Sequence, residues 1–385
     1  MIRGDTALLI TTSYAYDGDG SEAAGAFVAD LAQELATIMP VRVVVPGKTE
    51  SKRMHGAVEV WSFQAPDKPL SLLTPAHPGN WSAIVRTLRS LRRTVLAANQ
   101  DERVLHALAF WVLPSGWAAR ALWRQHGVPY SVWALGSDIW SLGRLPVIRG
   151  FLRGVAVDAV TAYADGMQLG ADAARISGRE FAFLPSTRKL AAERFRPVSC
   201  APPYRLLFLG RWHPNKGVDL LIDALALLDD KDWLGIAEVH VAGGGPLEDV
   251  VRKGVATLQA AGRPVRLSGY LDRDQASQAF AQADRVLLPS RVESIPVVFS
   301  DAMKFSLPVV SMPVGDLPAL IGSGTGWLAQ RVDAEAFAAA IRVSLASEHD
   351  DAAIRNMSER FAIEKIAERI AAVARRGERG DSRND

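Results

Sequence analysis

The sequence predicts an α/β protein built from two Rossmann-like domains that face each other across a cleft, and three observations carry that prediction. Short Val/Ile/Leu-rich runs bounded by Gly or Pro alternate with stretches of helical periodicity. The alternation halts at a proline-rich break near residue 200 and then restarts. A length of 385 residues also exceeds what one hydrophobic core ordinarily supports. Strands separated by helices pair in parallel and are covered on both faces, so each half is read as a doubly wound sheet.

In the first half the strand-like runs fall at 7–11, 41–45, 58–63, 104–108, 129–135, 156–162 and 181–184. In the second they fall at 204–209, 236–242, 264–268, 285–288 and 308–311. Between them Pro197, Pro202 and Pro203, set among small residues, favour an extended linker. Residues 1–198 are therefore read as the N-terminal domain and 199–352 as the C-terminal one. Ile354, Met357, Phe361, Ile363, Ile366 and Ile370 keep helical spacing, which predicts a helix over 353–376 packing back towards the N-terminal domain. The polar stretch 377–385 is expected to be disordered.

Composition narrows the function classes. With 49% hydrophobic and 22% charged residues the chain reads as globular, and no apolar run reaches the roughly 18 residues that span a bilayer. Met1 to Asp5 lead into the first strand without an apolar core and cleavage site, so a cytoplasmic location is expected. The single Cys200 makes no internal disulfide, and the seven histidines lack the spacing of a metal cage. Net charge is +2, but ten arginines against three acids leave +7 between Trp81 and Arg153.

The residues that point to chemistry follow the second-half strands, on the edge where open α/β sheets bind ligands. Arg211, His213 and Lys216 lie between the run ending at Gly210 and a helical stretch from Gly217. A helix N-terminus already carries about half a positive charge, so cations there are unfavourable unless an anion joins them. Phosphate is the expected anion. The next strand ends in Gly243, Gly244 and Gly245 before Pro246, which permits either close approach to a ligand or close packing. The following one ends in Gly269 and Tyr270, and the fourth leads through Ser290 and Arg291 to Glu293, Ser294, Ile295 and Pro296, then to a helix holding Asp301. Each has a plainer reading: Glu293 as a helix cap, Asp301 as a surface acid, Tyr270 as a loop aromatic.

As a set, in order and spacing over roughly 204–328, these features resemble the nucleotide-sugar half of the retaining, GT-B-type glycosyltransferases of family 4. The resemblance implies that Arg211 and Lys216 hold a donor diphosphate and that Glu293 approaches the donor sugar. It further implies that Gly210 and the glycine turn border the donor, that Ser294 and Ile295 present N–H groups to phosphate or sugar, that Asp301 meets the ribose and that Gly269 and Tyr270 meet the base. In the first half a loop carrying Gly18 and Gly20 corresponds to the family's flexible loop near acceptor and sugar. The strand ending at Leu135-Gly136-Ser137-Asp138 resembles the family's His-Gly-x-Asp, with Leu135 in the histidine position. Asp301 stands for the usual Glu and Ser306 where Gly is common. The acceptor implied is a glycan or lipid-linked saccharide.

Asp17-Gly18-Asp19 and Asp272-Arg273-Asp274 imitate a metal-binding Asp-x-Asp pair, but the first lies in a glycine turn and the second suits a helix cap. No metal or other cofactor is expected. A nucleotide-sugar epimerase, a phosphorylase of the same architecture and a degenerate nucleotide-sugar-binding subunit are the competing readings. Trp81, Ile84, Val85, Leu88, Leu91 and Val95 share a helical face opposite Arg86, Arg89 and Arg93, a pattern that fits a crossover helix. With Trp140, Leu142, Leu145, Val147, Ile148 and Phe151 interleaved among Arg144, Arg149 and Arg153, the same region also suits an anionic membrane surface. No base-reading module accompanies the arginines, so nucleic acid is not an expected partner.

Overall fold

The computed structural model describes residues 5–16, 25–66, 77–101, 103–190, 194, 196–322 and 324–380, with side chains to 376. Its contacts divide the chain into two units, Met1–Arg188 with Ile363–Asp385, and Lys189–Ala362.

Among the described residues the first unit holds an eight-stranded sheet. Its strands are β1 (Thr6–Ile10), β2 (Val41–Gly47), β3 (Ser51–His55), β4 (Val58–Gln64), β5 (Val104–Phe110), β6 (Tyr130–Ala134), β7 (Thr161–Ala164) and β8 (Ala182–Phe183). Their spatial order is β3-β4-β2-β1-β5-β6-β7-β8, parallel except for β3 against β4. The two-residue period of β1 divides its side chains between two cores. Leu8 and Ile10 join one, with Leu91, Leu122 and Leu152 from the helices Trp81–Ala97, Ser115–His126 and Pro146–Asp158. Ala7 and Leu9 join the other, with Leu31, Ile366 and Ile370 from Ala26–Ala36 and Ile363–Gly380.

The second unit carries β9 (Tyr204–Leu209), β10 (Ile236–Ala242), β11 (Val265–Ser268), β12 (Arg285–Leu288), β13 (Val309–Ser311) and β14 (Gly326–Leu328). They lie in the order β11-β10-β9-β12-β13-β14, all parallel. The chain steps outward from β9 through β10 and β11, then returns to the far side of β9 to begin β12. The order thus reverses between β9 and β12, and a doubly wound sheet binds its ligand outside the carboxyl ends at that switch point.

The structure corrects several boundaries. Only the end of the run 156–162 is strand: Val155 and Ala156 face the core from the helix Pro146–Asp158, and β7 begins at Thr161. A short apolar run satisfies either element, and burial decides. β3 carried no apolar alternation and forms through its pairing with β4, where Lys52 lies 3.4 Å over the Trp61 ring. β14 also went unread. The C-terminal stretch is two helices: Asp351–Glu359 lies in the second unit, and Ile363–Gly380 lies in the first, where Arg369 donates to the Phe183 carbonyl at 2.7 Å. This last helix runs on through 377–380, which were expected to be disordered. The proline-rich segment is no free linker, since Arg194 donates to the Phe280 and Ala283 carbonyls and Arg196 pairs with Asp284 at 2.9 Å.

Candidate functional site

Loops at the carboxyl ends of β9 and β12 meet in the second unit. After β9 the chain forms a 3-10 turn at Pro214–Lys216, passes through Gly217 with φ 66° and enters the helix Val218–Ala226. A Cβ on Gly217 would lie 1.9 Å from the Pro289 carbonyl oxygen, so the two loops touch backbone to backbone where no side chain fits. Lys216 Nζ pairs with Glu293 Oε1, which also accepts from Ser290 Oγ at 3.2 Å. Arg291 fastens the loops from below: its N–H donates to the Asn215 carbonyl at 2.8 Å and its guanidinium grips both Asp219 oxygens at 2.8 and 2.7 Å. Burial alone would raise the Asp219 carboxyl, but the bonds and charge of Arg291 bring it below its ordinary range.

The two cations read from sequence are thereby distinguished. Lys216 already has an anion, supplied by the chain itself as Glu293. Arg211 is exposed, and its guanidinium makes no hydrogen bond or ion pair among the described residues. Both stand at the switch point, close to the start of a helix.

The glycine turn after β10 serves packing against protein. A Cβ on Gly243, whose φ is 149°, would lie 1.9 Å from the Gly210 carbonyl oxygen, and one on Gly244 would lie 2.6 Å from the Tyr270 ring. Gly245 likewise backs onto Trp212. Tyr270 is 60% exposed, and its hydroxyl donates to the Gly244 carbonyl at 2.7 Å, so the aromatic covers this turn beside the open Gly269. Ser294 and Ile295 are buried ahead of the helix Val297–Lys304, and Asp316 N donates to the Ser294 carbonyl at 3.1 Å. Asp301 is 0% exposed within that helix, which corrects the surface-acid reading and leaves it without surface for a ligand in this arrangement. Ser306 has φ 56°, the left-handed backbone that makes glycine common at such a position. Asp272 caps the helix Arg273–Gln282 in a capping box with Gln275. Gly18 and Gly20, with Asp17 and Asp19, lie outside the described residues.

In the first unit Asp138 acts on backbone. Its carboxylate accepts from Val112 N at 2.7 Å and Leu135 N at 3.3 Å, tying the loop after β5 to the loop after β6. Burial pushes its pKa up to about 6, against the N–H bonds that lower it. An acid with a raised native pKa binds more protons folded than unfolded, so its contribution improves as pH falls from 7 to 4. Relative to Asp138→Asn, the wild type is expected to gain about 2 kcal/mol over that interval. Denaturant unfolding of both proteins at each pH checks this, and the difference cancels other titrating groups; a pH-independent gap would refute it.

Several site residues escaped sequence reasoning. Arg291 and Asp219 are 72 residues apart, and no local pattern pairs them. Gly315, with φ 55°, would bring a Cβ within 2.3 Å of the Glu293 carbonyl oxygen, yet reads as an ordinary turn glycine. Trp111 holds φ 65° just beyond β5, a backbone state rare for a bulky residue.

The family described as Glycosyl transferases group 1 matches residues 203–347, the whole β9–β14 sheet with its loops. Within the second unit, that span is similar to the group 1 glycosyltransferase family. Among curated relatives, a D-inositol 3-phosphate glycosyltransferase of Streptomyces avermitilis is 33% identical over 168 residues, 39% of this chain and 36% of that one. The chain thus matches about a third of the length of such relatives. Across both units the fold is that of GT-B glycosyltransferases. A sucrose-phosphate synthase from Thermosynechococcus elongatus superposes with TM-score 0.73 at 20% identity, covering 97% of this chain and 98% of that one. Anabaena Alr3699/HepE, solved with UDP and glucose, superposes with TM-score 0.66 at 18% identity over 96% and 98%. The matched span 203–347 contains every second-half candidate site residue, from Gly210 to Asp301.

Proposed function

We propose that this chain is a glycosyltransferase that takes a sugar from a nucleoside-diphosphate sugar and passes it, with retention of configuration and without a metal ion, to a glycan or lipid-linked acceptor. The observation that carries the reading is the Lys216–Glu293 pair at the switch point, on the same loop as the exposed Arg211, whose guanidinium has no partner among the described residues. The Anabaena protein's UDP and glucose support the donor class, and retention follows from the family resemblance. An arriving diphosphate takes Lys216 from Glu293 and recruits Arg211. The carboxylate so released faces the sugar, while Gly210 and the glycine turn border the donor and Tyr270 stands near the base. As the glycosidic bond breaks, negative charge grows on the departing phosphate, and two fixed cations stabilise that state more than the ground state. They neutralise the phosphate without a divalent ion, so turnover is expected to survive EDTA.

Glu293→Gln gives the sharper test. The neutral amide competes less for Lys216, so free nucleoside diphosphate is expected to bind about fivefold more tightly. Turnover is expected to fall at least about tenfold, because the sugar loses its carboxylate neighbour. Calorimetry of nucleoside-diphosphate binding and a transfer assay read the two effects separately. Weaker binding, or unchanged turnover, would overturn the exchange. A stability panel with UDP-, GDP-, ADP- and dTDP-sugars identifies the donor, since ligand at 100 times its Kd adds about 2.7 kcal/mol.

A further inference from the structure

In the first unit an apolar cavity of about 360 Å³ opens between the helices Trp81–Ala97, Ser115–His126 and Pro146–Asp158. Ile84, Leu88, Leu113, Trp117, Leu142 and Phe151 wall it, and no charged side chain among the described residues lines it. Leu113 follows β5 and Leu142 follows β6, so the cavity reaches the carboxyl edge of the sheet, where substrates of doubly wound folds bind. Its volume is at the lower end for ligand sites, which run from about 300 to 1,000 Å³.

The apolar surface continues outwards. Trp81 is 57% exposed, Phe151 55% and Val147 75%. Trp81 and Val85 share a helix stripe with Leu88, and Val147 stands one turn from Phe151. The sequence pattern assigned Trp81 and Val85 to the sheet-packing face, but Thr87, Ser90, Leu91, Thr94 and Val95 are the buried side. Arg89 and Arg92 follow Val85 and Leu88 by one turn, and Arg144 adjoins Leu145. All three are exposed, and their guanidinia make no hydrogen bond or ion pair among the described residues. The helix Trp81–Ala97 holds four arginines and no acid. A dry slot with a cationic rim at a substrate edge complements a molecule that is hydrocarbon at one end and anionic at the other.

We propose that this groove takes a hydrocarbon chain of an anionic lipid, the carrier of the acceptor sugar, with the lipid phosphate on Arg89, Arg92 and Arg144. Only the naming of that lipid as acceptor rests on the transferase reading. Binding itself does not.

The test titrates the full chain with monomeric phosphatidic acids of six- and eight-carbon chains below their micelle concentrations, beside phosphatidylcholines of equal length and anionic vesicles. Expected are saturable one-to-one binding of the phosphatidic acids, roughly fourfold tightening per added methylene, and at least about threefold weaker binding of the zwitterionic lipids. Phe151→Asp and Val147→Asp, both at exposed positions, should weaken every monomeric lipid at least about tenfold. Arg89→Glu with Arg144→Glu should weaken only the anionic ones. Stabilisation by nucleoside diphosphate should persist in all variants, which reports that the fold and the donor site remain. Vesicle binding without monomer binding, absence of chain-length dependence, or Phe151-dependent self-association in place of lipid binding would each overturn the proposal. Transfer to a water-soluble acceptor with no lipid binding removes this inference alone, whereas lipid binding with no transfer from any donor removes the transferase reading alone.

Discussion

Lys216→Ala is expected to lower kcat/KM by about 10–100-fold with every nucleoside-diphosphate sugar. A charge-assisted hydrogen bond is worth about 1.5–3 kcal/mol, and the loss falls on the transition state, where phosphate charge is greatest. The substitution also leaves Glu293, mostly shielded from solvent, with Ser290 as its remaining hydrogen-bond partner among those described above. Some stability loss is therefore expected alongside. Lys216→Arg separates the two effects, because it restores a cation and the pair while changing its reach; partial recovery of rate with full recovery of stability is the expected pattern. Arg211→Ala, which breaks no described ion pair, should reduce rate with little change in stability. Near-normal turnover of Lys216→Ala with all donors would remove the diphosphate cradle as an account of this site.

Gly217→Ala is expected to have the largest structural effect, a loss of about 3 kcal/mol or more. Two costs add: an L-residue in left-handed backbone costs roughly 1–2 kcal/mol, and a Cβ 1.9 Å from the Pro289 carbonyl oxygen forces two backbone segments apart. Those segments carry Lys216 and Glu293, so the pair opens and donor affinity falls with stability. Chemical denaturation and donor titration on the same protein measure both. Gly262→Ala is the control, since Gly262 has φ 75° but nothing within 4 Å of its would-be Cβ. It should show the backbone cost alone. Equal losses at the two positions would show that the loop contact contributes nothing.

Much of the second unit was legible because its signals are local. β9 was readable from its apolar run, the helix after it from the apolar periodicity beyond Gly217, and the switch-point edge from the alternation of strands and helices. Asp272 was readable as a cap from its position ahead of Arg273–Gln282. Features created by contact between distant segments were not legible. Nothing near Arg291 indicates Asp219, and nothing near Gly315 indicates the Glu293 carbonyl. The edge strand β3 lacks the pattern of a strand because its partner β4 supplies the reason for it.

The amino-acid sequence by itself determined the doubly wound class, the division into two sheets and the set of residues after each second-half strand, since periodicity, turn chemistry and order along the chain are properties of neighbours. Only the tertiary structure decided that Glu293 is the anion of Lys216, that Gly243 and Gly217 serve backbone contacts, that Asp301 is enclosed and that the helix Trp81–Ala97 leaves an apolar flank uncovered. Those outcomes depend on which segments the packed sheets bring within a few ångströms, and the free energy of such contacts has no counterpart in local pattern.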